Sequence, residues 1–237
     1  MSKLQQVLTE LDALYQHSRS TLLPSLEELC QFLSDSLAFS HIIVSKEDVH
    51  TILTTQSDES TYDEHSRIVL GYRAAFDFML QVAKRDPLEI SESFLKQLHH
   101  LIFSYYESIP TDQYRTTEYV DIMTNYHSPS PLDLDHVMPH LGDQFRSSLA
   151  TLHPVELSAM MTKRMLDIHP FPEGNHRIAH LIMNVILIHY GYPVISIPPC
   201  RQEEYNNAIL IARTDYDMDP LSLLFATLLI ENIRSHS

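Results

Sequence analysis

Nine residues, His169-Pro170-Phe171-Pro172-Glu173-Gly174-Asn175-His176-Arg177, place a titratable base, a carboxylate, a Gly-Asn turn and a cation directly after an apolar run ending at Ile168. Such a set suits chemistry beside a polyphosphate. Moving a phosphate-linked group onto a hydroxyl requires a base for the acceptor's proton, and an imidazole titrating near neutrality, His169, can take it. The departing phosphates need their charge offset. A hard cation such as Mg²⁺ prefers oxygen ligands and commonly uses one or two carboxylates with substrate phosphates, which makes Glu173 its ligand here. Gly174 and Asn175 tolerate positive φ, so successive N–H groups can turn inward as an anion nest. The apolar stretch from Arg177 to Ile188 predicts a helix that begins at this loop. Its N-terminal N–H groups and dipole favour phosphate, and Arg177 adds a fixed positive fork. A lone histidine or Gly-Asn step after a helix is ordinarily a cap; the ordered combination carries the reading.

The nonapeptide resembles the signature H-x-F-x-(D/E)-G-N-x-R-x-x-R of the Fic family and matches every fixed position but the last, where His180 replaces arginine. The resemblance extends to both sides. His153-Pro154-Val155-Glu156 with Ala159, Met160, Arg164 and Asp167-Ile168 looks like the helix entering the loop, and Leu187 to Pro193 and Arg201 to Ala208 look like the helices beyond it. Gln113 to Glu118 and Pro129-Ser130-Pro131 resemble a β-hairpin flap, so the likeness covers about residues 50 to 230. It implies transfer of AMP from Mg-ATP to a hydroxyl side chain of a target protein, and of the enzyme itself. His169 is then the base, Glu173 the Mg²⁺ ligand, and Gly174, Asn175, His176, Arg177 and His180 contact the nucleotide, with Arg177 offsetting the charge of the leaving pyrophosphate. Tyr205 lines the base pocket. Thr117, Glu118 and Val120 belong to the flap, which aligns the target by strand addition.

His176 stands where glycine is usual in the transferases and lysine in the kinase-like Doc branch, which leaves open transfer of another phosphate-linked group, or removal of AMP. His176 and His180 together also leave open a degenerate Fic fold serving as a binding or regulatory module. Histidine at position 180 carries about half a charge near pH 6.5, so a γ-phosphate contact there would tighten as pH falls from about 8 to 6. The stretch Thr55-Gln56-Ser57-Asp58-Glu59-Ser60 resembles the family's inhibitory pattern (S/T)-x-x-x-E-(G/N). That likeness implies that Glu59 pairs with the last position of the loop signature and displaces the γ-phosphate; a solvated acidic loop or helix cap is the alternative.

The elements that must position these residues are helical. Apolar residues recur at three- and four-residue spacing over 4–15, 22–37, 68–82, 93–106, 154–168, 177–190, 202–213 and 220–233, and only 118–123 has strand character. With 4 glycines in 237 residues, tight hairpins are few. The expected fold is all-α, a Fic-type helical bundle with a small β-hairpin flap. Residues 1–50 read as an N-terminal helical cap or homodimer surface, and 51–237 as the Fic domain including segment 55–60. Net charge −15 argues against nucleic acid and anionic membrane as partners. Cys30 and Cys200 are too few for a disulfide framework, and no signal peptide or membrane-spanning run is recognisable. The expected setting is a bacterial cytosol, or a host cytosol for a secreted effector. His99-His100 and the His136/His140 pair, interrupted by Pro139, read as ordinary histidines rather than zinc ligands, and Met160, Met161 and Met165 as core.

Overall fold

The apolar periodicities resolve into helices in a computed structural model that describes residues 1–17, 24–55, 62–105, 109–111, 113–122 and 124–235. Among them are α1 (Lys3–His17), α2 (Leu26–Phe39), α3 (Lys46–Thr54), α4 (Glu64–Ala83), α5 (Glu92–Ile102), α6 (Leu134–Ser148), α7 (Pro154–Ile168), α8 (Asn175–His189), α9 (Gln202–Thr214) and α10 (Asp219–Ser235). Local chemistry sets their starts. Ser25, Ser45, Asp63 and Ser91 each accept a backbone N–H of the first turn of α2, α3, α4 and α5. His153 caps α7 reciprocally with Glu156, and Pro154 follows at the first helical position.

The centre of the molecule is α8, every residue of which from Arg177 to Ile188 is buried. A helix apolar on all sides must be surrounded. Helices α7, α4, α2 and α5 surround it, and α7 packs on it most extensively. One buried cluster runs from Leu4 in α1 to Ile233 in α10. The N-terminal helices share it: α1 lies on α10, the Tyr15 ring packs tilted against Tyr192 at 4.8 Å, and the Tyr192 hydroxyl donates to Asp12 at 2.9 Å. No described helix is long and apolar enough to cross a membrane.

Two helices escape the periodicity reading. Helix α3 is short and buries Val49 alone. Helix α6 runs through Pro139, because Leu134, Met138, Leu141 and Phe145 bury one stripe that outweighs the lost hydrogen bond. Pro139 therefore does not separate His136 from His140, as the sequence suggested; both lie on α6. Among the described residues, no three His, Cys, Asp or Glu side chains group as a metal site. The strand expected over 118–123 contracts to β1 (Val120–Asp121), paired antiparallel with β2 (Tyr126–His127) in the register Val120 to His127 and Asp121 to Tyr126. So short a ribbon does not hold itself in place.

Helix α4 reaches α5 through Gly71, where an added Cβ would stand 2.5 Å from the Ile102 carbonyl oxygen and 3.0 Å from that of Leu101. Backbone cannot move aside cheaply. Gly71→Ala is expected to lower the unfolding free energy by about 1–3 kcal/mol in denaturant titrations; a loss under about 0.5 kcal/mol would contradict this close approach.

Candidate active site

The chemistry-bearing loop starts where α7 stops. His169 caps α7 in the left-handed region, at φ 47 and ψ 57, a conformation that non-glycine residues hold only when neighbours enforce it. Arg115 supplies the enforcement. Its Nε donates to the His169 carbonyl at 2.7 Å, Nη1 to the Thr117 carbonyl at 2.7 Å and Nη2 to the carbonyls of Pro129 and Ile168, while its own N–H bonds the Pro170 carbonyl at 2.8 Å. One buried guanidinium thus joins the loop to the foot of the hairpin. Phe171, fully buried, stacks on His99 at 4.3 Å. The Asn175 side chain accepts from the Phe171 N–H at 3.0 Å and donates to its carbonyl at 2.8 Å, closing the loop on itself. Asn175 is thereby a brace, and what it can offer a ligand is its backbone. Gly174 turns at φ 79, and a Cβ there would meet Phe103 at 2.8 Å. As the N-cap, Gly174 has no side chain to offer α8, and among the described residues no other side chain caps the helix. The N–H groups of its first turn are left for a ligand or water, as expected of an anion site.

The His169 ring lies face to face with Tyr119, centroids 3.4 Å apart and planes 5° from parallel. Its other surroundings are a cavity of about 290 Å³ that His176, Tyr205, Asn206, Phe39 and Val120 also line. Among the described residues, neither His169 ring nitrogen has a hydrogen-bond partner. The buried hydroxyl of Tyr205 and Nδ1 of His176 lack partners too, so the cavity presents polar atoms that a ligand or water must satisfy. Burial foremost, then the nearness of His176 and Arg115, pushes the His169 imidazole down to about 3. The expectation of a base titrating near neutrality is corrected for the site as it stands without ligand: burial holds His169 neutral across the physiological range.

Glu173 and Arg177 face a second cavity of about 310 Å³, with Phe103, Glu64, His65 and Ile109. The Arg177 guanidinium lies over the Phe103 ring at 4.7 Å. His41, the turn residue after α2 at φ 61, lines both cavities. The loop and the first turn of α8 therefore separate the base from the carboxylate and the cation. Thr117 and Glu118 are exposed on the hairpin's approach, where Ser130 Oγ donates to Glu118 at 3.1 Å.

His180 lines neither cavity. It is buried against α2, with Nδ1 2.9 Å from Ser36 Oγ and the Phe39 ring edge-on at 5.1 Å. Burial and then His176 push it down to about 3, which corrects the expected titration between pH 8 and 6. Glu59 lies outside the described residues. What the structure does lay on α8 is the end of α2, and Ser36-Leu37-Ala38-Phe39-Ser40-His41 keeps the hydroxyl and spacing of (S/T)-x-x-x-E-(G/N). In that spacing Ser40 falls at the fifth position, and His41 at the sixth adopts a positive φ of 61. That spacing was readable, but without the acid it gave no signal. Tyr119 and Arg213 were also missed.

Residues 89–187 match the Fic/DOC family. That segment is a Fic domain. Curated relatives named "Protein adenylyltransferase Fic" include those of Aedes aegypti, 29% identical over 192 residues covering 78% of this chain and 37% of the relative, and of Drosophila erecta, 26% over 206 residues covering 85% and 41%. The chain thus spans about two-fifths of the length of these relatives. Among solved structures, the Fic domain containing signaling protein of Bacteroides thetaiotaomicron superposes with TM-score 0.81 at 20% identity over 98% of this chain and 94% of its own. Fic-1 of C. elegans superposes with 0.82 at 20% identity, over 98% and 71%. The Fic fold is shared along nearly the whole chain.

The depressed histidines of this Fic site have a consequence for stability. His169 and His180 at about 3 and His176 at about 4 stay neutral when folded, whereas unfolded imidazoles take up protons below about 6.5. Stability is present above pH 6.5 and is lost as pH falls below it. Replacing one such group, as in His180→Gln, is expected to reduce the loss between pH 7 and 5 by about 2 kcal/mol in urea titrations. Equal losses in wild type and variant would show that His180 is not held neutral.

Proposed function

We propose that this chain transfers AMP from Mg-ATP to a hydroxyl side chain of a protein, itself included. The observation that carries the reading is the uncapped first turn of α8 between the His169 cavity and the Glu173–Arg177 cavity. A triphosphate laid across that turn has its α-phosphate beside His169 and its outer phosphates beside Arg177. The acceptor oxygen attacks the α-phosphorus, its proton passes to a ring nitrogen of His169, and the bond to the pyrophosphate oxygen breaks. Arg177 offsets the charge that develops on the leaving group. Glu173 is exposed and, among the described residues, makes no ion pair; a single carboxylate is the donor set expected where Mg²⁺ takes its other ligands from phosphate and water. When bound, Mg²⁺ supplies charge neutralisation at the phosphates. Tyr205 and Asn206 line the end of the first cavity where the adenine would sit, and the hairpin edge at Thr117, Glu118 and Val120 takes up a strand of the target.

Support comes from the relatives' names as protein adenylyltransferases and from a fold neighbour, IbpAFic2, solved in complex with adenylylated Cdc42 at TM-score 0.60 and 18% identity. At the contact between α2 and α8 the spacing of the inhibitory pattern recurs without its acid. With Ser40 for the acid and His180 for the arginine, neither half of the inhibitory ion pair is present at the α2–α8 contact, where Ser36 bonds His180 instead.

Incubating a whole lysate with a tagged ATP tests the proposal. Wild type should label protein, and His169→Ala should lose labelling by about 10²-fold or more while binding ATP within a few-fold, because a general base touches the acceptor rather than the donor. Undiminished labelling would refute the assignment. Glu173→Ala should abolish the Mg²⁺-dependent part of ATP binding in calorimetry with and without EDTA. Ser40→Glu combined with His180→Arg should lower labelling by installing the absent pair; no decrease would remove the α2 terminus from the regulatory reading.

A further inference from the structure

Arg213 sits near the end of α9, but its guanidinium is committed to two other parts of the molecule. Nε donates to Asp167 Oδ1 at 2.9 Å and Nη2 reaches the Leu166 carbonyl at 3.5 Å, both in the last turn of α7. Nη1 donates to Asp121 Oδ2 at 2.5 Å and to Thr124 Oγ1 at 2.8 Å, and the plane lies over the Tyr126 ring at 4.4 Å. These three residues are one from each strand of the hairpin and one from the turn between. The side chains of Arg213 and Asp167 are 4% and 3% exposed, and Lys163 takes the second oxygen of Asp167 at 2.7 Å, so the charges are matched away from water.

The foot of the hairpin is held elsewhere, by Arg115 on the carbonyls of Thr117 and Pro129. Arg213 holds its far end. Both arginines anchor the hairpin to the residues at the end of α7 that lead into His169, and the hairpin carries Tyr119 on the His169 ring. A two-residue strand pair has too little ladder to fix its own height above the base. We infer that Arg213 is a positioning residue for the transfer reaction: by bridging Asp121 to Asp167 it sets the distance between the hairpin edge and His169, and so where an acceptor hydroxyl on an added strand stands. The inference rests on the transfer reading for its role, though not for the contact itself. A planar fork is needed, since one group must serve a carboxylate on each side and a hydroxyl while lying flat on an aromatic ring.

The test uses Asp121→Ala, which leaves the buried Arg213–Asp167 pair intact and so keeps the fold, together with Asp121→Glu and the charge-conserving Arg213→Lys. Hydrogen exchange by mass spectrometry reads the hairpin, and labelling with tagged ATP at varied concentration reads the reaction. Asp121→Ala and Arg213→Lys should each speed exchange of the hairpin amides about tenfold, as loss of a charge-assisted hydrogen bond does, with exchange in α7 and α8 unchanged. The maximal labelling rate should fall by a similar factor while the half-saturating ATP concentration stays put, and Asp121→Glu should recover both. Wild-type hairpin exchange in Asp121→Ala would overturn the clamp; a loosened hairpin with an undiminished labelling rate would overturn its role in positioning. Absence of His169-dependent labelling in wild type would instead sink the transfer reading, with the exchange result still deciding whether Arg213 pins the hairpin.

Discussion

A helix ends with carbonyls that have no partner in the helix, and at the end of α7 those carbonyls determine the site. Leu166, Ile168 and His169 present theirs where α7 breaks into the left-handed turn, and the donors come from two arginines distant in sequence. The negative end of the helix dipole favours cations there. Because Arg115 and Arg213 also hold the hairpin, satisfying the end of α7 is the same event as laying Tyr119 over His169. The turn that exposes the base and the cover placed over it are set by one group of hydrogen bonds.

The charge balance has the same logic. The chain carries 16 Lys and Arg against 31 Asp and Glu, which repels anions in general, yet the side chains of Arg115, Arg177 and Arg213 are buried around the loop. His169, His176 and His180 are held neutral by burial. The first turn of α8 and Arg177 thus offer local attraction for a polyphosphate beside a neutral His169.

The loop and its helix were legible because their residues are contiguous and each type answers one demand of the chemistry. The all-α class followed from long apolar stripes. What was not legible depends on contacts between distant segments. Position 180 lies three residues beyond Arg177, which suggests a shared face, but α8 is buried on all sides, so Arg177 meets Phe103 while His180 meets Ser36. The depth of burial that keeps His169 from titrating near neutrality has no sequence signature. Helix α6 was hidden by Pro139, whose cost its packed stripe absorbs. Arg213 looked like an ordinary basic residue near a helix end, and only the fold brings Asp121 and Asp167 to it.

His176 lines the cavity of His169, with ring centroids 6.5 Å apart. The most direct measurement of the central claim is parallel incubation of the chain and a lysate with ATP radiolabelled at the α-phosphate or at the γ-phosphate, followed by autoradiography of the protein. With an α-phosphate beside His169 and outer phosphates beside Arg177, label from the α-position should enter protein and label from the γ-position should not. Incorporation of γ-label, or of neither, would contradict the account.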